Sequence, residues 1–199
     1  MRAAVLHFGV DLDAFTPRPL PDGPPHALVV GALVGWKRPD LAIEIARRMP
    51  EIHVTFAGAP LPGETYSPPA PANVTFAGHV DDVREALSRA HVLLHCADAE
   101  PYGLALVEAL AAGRPVVAPA AAGPLEIVRD GAGRLYPPGD ADAAVEALRA
   151  VLADPGAPIA ARRRAEAAFD VNDSVRRLAA AIDAALLGRR QPSDVTLGG

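Results

Sequence analysis

From residue 26 to residue 138 two kinds of segment alternate along the chain. Short apolar, β-branched runs read as strands: HALVVGAL (26–33), IHVTFAG (52–58), NVTFAG (73–78), HVLLHCA (91–97), RPVVAP (114–119) and GRLYPP (133–138). They show no clear in–out alternation, so both faces are expected to be covered, the mark of a parallel sheet. Helical apolar spacing appears between them. PDLAIEIARRM is opened by Pro39 and stopped by Pro50, and Asp81 or Asp82 can cap DVREALSRA. Further helices are expected after Gly103, in PLEIVRD, in ADAAVEALRAVLAD, in IAARRRAEAAF and in VNDSVRRLAAAIDAALLG. The expected fold is α/β, a single Rossmann-like, doubly wound parallel sheet of about six strands.

The remaining segments set the boundaries. Residues 1–26, broken by Pro17, Pro19, Pro21, Pro24 and Pro25, read as a linker leading into a domain at 27–187. The stretch PLPGETYSPPAPA (60–72) reads as a loop, and 188–199 as a polar, disordered tail.

Composition removes some classes of function. A net charge of −5 gives no global basic field, so no nucleic-acid partner is expected. The single cysteine, Cys96, allows no intrachain disulfide. It reads as a small buried hydrophobe, and a reducing, cytoplasmic setting fits it. No apolar run reaches the ~20 residues that a membrane span needs, and the first residues lack the apolar region of a signal peptide.

In a doubly wound sheet, ligands bind at the carboxyl ends of the strands. GALVGWKRPD (31–40) lacks both the G-x-G-x-x-G and the G-K-[ST] spacing. It does set Lys37 and Arg38 at a strand-to-helix turn, where cations suit a phosphate. Taken alone, they read more readily as solvated surface charges. GHVDD (78–82) offers a glycine and His79. In AEPYGLALVEALAAGRPVVAP (99–119), Glu100 is pushed from helical backbone by Pro101 and lies on the loop. Gly103 opens the helix without blocking its N–H groups. Glu108 follows one to two turns in, among Leu104, Val107, Leu110 and Ala111, which are expected to face the sheet. A carboxylate so placed needs donors, and a pair of sugar hydroxyls would supply them. A buried structural hydrogen bond is the alternative. Glu126, after Gly123, suits the start of a helix as well as a ligand.

Taken together, these loops resemble the C-terminal, donor-binding domain of retaining GT-B glycosyltransferases of family 4, the glycosyl transferases group 1. Glu100-Pro-Tyr-Gly103 with Glu108 is similar to that family's E-x7-E motif with its internal aromatic-glycine pair. FGVDLDAF (8–15) resembles the linker motif, LVGWKRPDLAIE (33–44) the donor-phosphate loop, VTFAGHV (74–80) the base-side loop, and GRPVVAPAAAGPLEIVRDG (113–131) the strand and glycine loop after the motif. The resemblance covers roughly residues 7–187 in family order.

The resemblance implies one half of a GT-B fold and a role for each matching residue. Glu100 would lie near the donor sugar and Glu108 on the ribose hydroxyls. The N–H groups of Gly103 and Leu104 would meet the diphosphate or sugar, with Tyr102 as the motif's aromatic. Lys37 would neutralise the leaving diphosphate, with Gly35 and Arg38 in the same loop. His79 and Val80 would lie on the base side. No metal or cofactor is implied; the substrate would be a UDP- or GDP-sugar. The sequence departs from the family twice. Ala32 stands where an arginine is frequent. The N-terminal acceptor domain is expected to be missing, supplied by another chain, and any peripheral membrane contact would belong to it. The alternative is a non-catalytic or split-enzyme nucleotide-sugar-binding module. An epimerase fragment is the third reading, and the E-x7-E stretch argues against it.

Overall fold

The computed structural model describes residues 6–186. Six strands, β1 (His26–Val30), β2 (His53–Ala57), β3 (Val74–Gly78), β4 (Val92–Leu94), β5 (Val116–Pro119) and β6 (Gly133–Tyr136), form one sheet in the order β3-β2-β1-β4-β5-β6. Every pairing is parallel, with Leu28 opposite Thr55 on one side and Leu93 on the other. The helices are α1 (Pro39–Arg48), α2 (Val83–Ser88), α3 (Leu104–Ala111), α4 (Gly123–Ile127), α5 (Ala141–Leu152), α6 (Ala157–Ala168) and α7 (Val171–Leu186). This is the expected Rossmann-like α/β sheet, with β1 and β4 adjacent at its centre.

The apolar runs lack alternation because both faces are packed. Along β4, Val92 and Leu94 join Phe56 of β2 with α1 and α5 (Leu41, Ile45, Ala144, Leu148). Leu93 points the other way, with Leu28 and Val116, onto α2, α3 and α6 (Leu87, Leu106, Leu110, Ala161, Ala165). Helix starts follow their signals. Pro39 is the first residue of α1, and Asp82, rather than Asp81, accepts from Arg84 N to cap α2. Asp140 caps α5 through Ala143 N.

Three elements are shorter than their apolar runs. β1 ends at Val30 because Gly31, at φ +134°, turns the chain away. β4 covers only Val92–Leu94, although His95 N still reaches Val117 O at 2.8 Å. α4 ends at Ile127 because Val128 leaves helical backbone.

The described part of the N-terminal segment is held by backbone. Val10 pairs with Asp170 at the α6–α7 junction. Arg162 of α6 donates to the carbonyls of Leu12, Phe15 and Ala111. Arg114, only 2% exposed, donates to those of Arg18, Pro19, Leu87 and Ser88. No regular element occupies 60–72, where Tyr66 meets Phe76 edge to face. The expected tail, 188–199, lies outside the described residues. Among the described residues, no helix is long and apolar enough to cross a membrane.

Candidate functional site

In a sheet of this order the strand sequence reverses direction at β1 and β4, and the loops leaving them splay to opposite faces. After β1, a single 3₁₀ turn, Gly35–Lys37, carries Lys37 over the sheet's carboxyl edge. After β4, the chain runs from His95 through Glu100 to Gly103 and α3. Residues 63 apart in sequence meet there: Lys37 Nζ donates to Glu100 Oε2 at 2.5 Å. Their side chains are 21% and 14% exposed, so the pair sits on the rim of the cleft rather than in free solvent. The ammonium also lies 4.5 Å from the centre of the Trp36 ring, which holds it further.

Backbone fixes the carboxylate's side of the pair. Gly123 N donates to Glu100 O at 3.0 Å, and a Cβ on Gly123 would stand 2.0 Å from Tyr102 O. Only glycine lets α4 press against this loop. Gly103 takes φ +101°, a left-handed turn that redirects the chain into α3. No side chain caps α3; Leu106 N and Val107 N donate to Gly103 O, and the N–H groups of Gly103, Leu104 and Ala105 are without partners among the described residues.

Glu108 lies one turn further along α3. It is half-buried, and burial raises its carboxyl above the ordinary range, with no donor opposing the shift. A buried structural hydrogen bond is therefore not what holds it among the described residues. The expectation that Leu104 faces the sheet is corrected: it is 49% exposed. Because the left-handed Gly103 starts the helix, the inward stripe begins at Leu106 and continues through Val107, Leu110 and Ala111.

Other candidates are placed less directly. Arg38 adopts left-handed backbone, at φ 52°, and its guanidinium is taken by Asp40 and Asp98. Those hydrogen bonds raise its pKa further, and Asp40 contributes most. It is thus turned toward carboxylates rather than toward Lys37. The Tyr102 hydroxyl donates to Phe8 O, and the two rings pack edge to face. Tyr102 ties the N-terminal segment to the Glu100 loop. His79 is exposed beside Asp81, after the edge strand β3, with Val80 half-buried next to it. Gly35 opens the Lys37 turn. Cys96 is buried as expected, its thiol pushed up to about 12 by the surroundings.

Sequence reasoning missed His95. It is 5% exposed, and its Nε2 is buried without a hydrogen-bond partner among the described residues, 3.6 Å from Glu100 Oε2. Burial, then the Lys37 charge, lower its pKa to about 4, so the ring is neutral near pH 7. An unpaired buried polar atom costs about 1–3 kcal/mol, which is unusual enough to ask what it faces. The signal was available: a histidine closing an otherwise apolar run at the carboxyl end of a central strand.

A polar cleft of about 340 Å³ lies elsewhere, between residues 14–18, α2 and Arg114. Arg18 and Arg84 there are already paired with Glu85 and Asp82, and Arg114 precedes β5 rather than following a strand. The chemistry is better served at the β1–β4 edge.

Comparison with known proteins agrees with this fold. The chain is 31% identical over 189 residues to the D-inositol 3-phosphate glycosyltransferase of Mycobacterium avium, covering 84% of this chain and 45% of that protein. It is 32% identical over 161 residues to the phosphatidyl-myo-inositol mannosyltransferase of Mycolicibacterium smegmatis, covering 73% and 42%. The chain thus spans less than half the length of these relatives. Among solved structures it superposes on Anabaena HepE in complex with UDP-glucose with a TM-score of 0.78 at 21% identity, covering 90% of this chain and 57% of that one. It also superposes on the C-terminal domain of a group 1 glycosyl transferase, LpcC of Francisella tularensis, with a TM-score of 0.68 at 19% identity, covering 82% of this chain and all of that domain. The sequence model of the glycosyl transferases group 1 matches residues 13–171, which contain every strand of the sheet and the Lys37–Glu100 pair at its centre, and the chain belongs to that family.

Proposed function

We propose that this chain is the donor-binding half of a retaining glycosyltransferase that takes its sugar from a nucleoside diphosphate, a UDP- or GDP-sugar. The observation that carries this reading is the convergence of Lys37, Glu100 and the uncapped start of α3 at the β1–β4 switch point. Transfer breaks the bond between the anomeric carbon and the diphosphate, and charge builds on the leaving oxygens. A fixed cation and oriented N–H groups stabilise that charge without reorganising. Lys37 and the amides of Gly103 and Leu104 would take this part. Glu108, half-buried and lacking a donor among the described residues, would accept the two ribose hydroxyls. Glu100 would lie against the sugar, with acceptor and leaving group on one face. His79 and Val80 would border the base, and Arg38 would act on the diphosphate only after leaving Asp40 or Asp98. No metal is required in this scheme, and a cytoplasmic location fits such a donor.

Calorimetry with UDP and GDP tests the reading. One nucleotide series should bind at millimolar concentration or below, equally well in EDTA. Lys37→Ala and Glu108→Ala should each weaken binding by about 10-fold or more, the size expected for loss of a charge-assisted hydrogen bond. Absence of binding by both series would sink it.

A second reading has its own support: a binding module completed by a separate acceptor domain. The chain spans 45% of the M. avium relative, and Val175, Leu178 and Ile182 form an exposed apolar stripe along α7. Turnover only after addition of an acceptor-domain protein would favour it.

A further inference from the structure

We propose that His95 is the second hydrogen-bond partner of Glu100, taking the carboxylate when an anion draws Lys37 away. One oxygen, Glu100 Oε2, serves Lys37 at 2.5 Å and faces the unpartnered Nε2 of His95 at 3.6 Å. A shift of about 0.7 Å brings that nitrogen to ordinary hydrogen-bond length. The ring has little freedom to swing elsewhere. The residue is 5% exposed, its backbone N–H donates to Val117 O, and its backbone carbonyl accepts from the Tyr136 hydroxyl at 2.8 Å. Anchored backbone and burial leave the imidazole little room, and the carboxylate is the group that moves.

The arrangement answers an electrostatic difficulty. A diphosphate reaching Lys37 competes with Glu100 for the same ammonium. Glu100, 14% exposed, would then be left without its cation in a partly desolvated place. A neutral imidazole with its proton on Nε2 donates one hydrogen bond to that carboxylate and adds no charge that would compete for the phosphate. His95 is thereby a positioning residue. It acts through Glu100, keeping the carboxylate in one place in the free and the loaded states. The nucleotide half of this inference rests on the donor-site reading; the exchange of partners does not.

Nitrogen-resolved NMR of the histidine side chains, on the full chain, tests it. The His95 resonance is assigned by its loss in His95→Phe. Without any nucleotide, Lys37→Ala should shift the His95 Nε2–H proton downfield and slow its exchange with water. Lys37→Gln should do the same should the alanine loosen the turn. A His95 resonance unchanged in both variants would overturn the proposal. Addition of UDP to the unaltered chain should reproduce the shift. A shift in the variants with none on UDP addition would support the exchange of partners and count against the nucleotide site. His95→Phe should also weaken UDP binding about fivefold in the unaltered chain and not at all in Lys37→Ala, because the two act through one carboxylate. Simply additive losses would overturn the coupling.

Discussion

Glu100 is the residue on which the cleft turns, and its surroundings set its behaviour. It shares one oxygen between a cation already bonded and a neutral imidazole not yet bonded. The neutrality of His95 has a cost that pH reveals. In the unfolded chain the ring takes a proton near its ordinary pKa of 6.5; in the fold that value is lowered to about 4. The folded state therefore binds fewer protons in this window. Stability attributable to His95 is whole above pH 6.5 and falls as the pH drops toward 4, by about 3 kcal/mol in all. His26 and His91, also lowered mainly by burial, steepen the same slope. Urea unfolding of the unaltered chain and of His95→Phe between pH 7 and pH 4 separates the contributions. The variant should lose distinctly less stability on acidification, and parallel curves would refute the assignment.

Residue-scale signals were partly legible in the chain. Lys37, Glu100 and Glu108 stood out as charges on turns or apolar faces; the first two meet at the switch point, and Glu108 follows one turn into α3. Their pairing was not legible, since a contact across 63 residues depends on the sheet order. Nor was the fate of Arg38. Its neighbour Lys37 has the same charge, but left-handed backbone at residue 38 turns the guanidinium onto Asp98, 60 residues away. Tyr102 reads as a motif aromatic, and its tie to Phe8 was not legible either.

At the scale of elements, the strands were legible because a parallel strand packed on both faces leaves an unbroken apolar run. Their ends were not, because the run outlasts the pairing wherever glycine turns the chain, as at Gly31. The inward face of α3 was displaced for a similar reason. Helical spacing identifies a stripe, but the left-handed Gly103 decides where the helix begins. That geometry makes a prediction. Gly103→Ala places a Cβ at φ +101°, 3.2 Å from Leu106, and should cost about 1–2 kcal/mol in urea unfolding. Gly123→Ala should cost more, because its Cβ meets Tyr102 backbone and the Glu100 loop must shift. An undisturbed midpoint in both would mean that the turn is not held as described.

The whole molecule divides its tasks between its edges. The carboxyl edge of the sheet carries the Lys37–Glu100 pair and the start of α3. Elsewhere, residues 12–19 are strapped on by Arg114 and Arg162, which donate to backbone carbonyls, Arg162 also pairing with Glu166. Arg114 carries four such bonds while buried, so Arg114→Met should destabilise by about 3 kcal/mol and expose residues 14–20 to proteolysis. Cleavage there at the unaltered rate would contradict that role. Outside both regions, α7 presents Val175, Leu178 and Ile182 to solvent.

The central claim is that a nucleoside diphosphate binds at the β1–β4 switch point, and a crystal structure of the chain with UDP tests it most directly. The account predicts a terminal phosphate within hydrogen-bond reach of Lys37 Nζ and the first N–H groups of α3, the ribose hydroxyls on Glu108, and Glu100 closed onto His95. Nucleotide bound instead in the polar cleft beside Arg114, or a diphosphate that leaves the Lys37–Glu100 bond untouched, would contradict it.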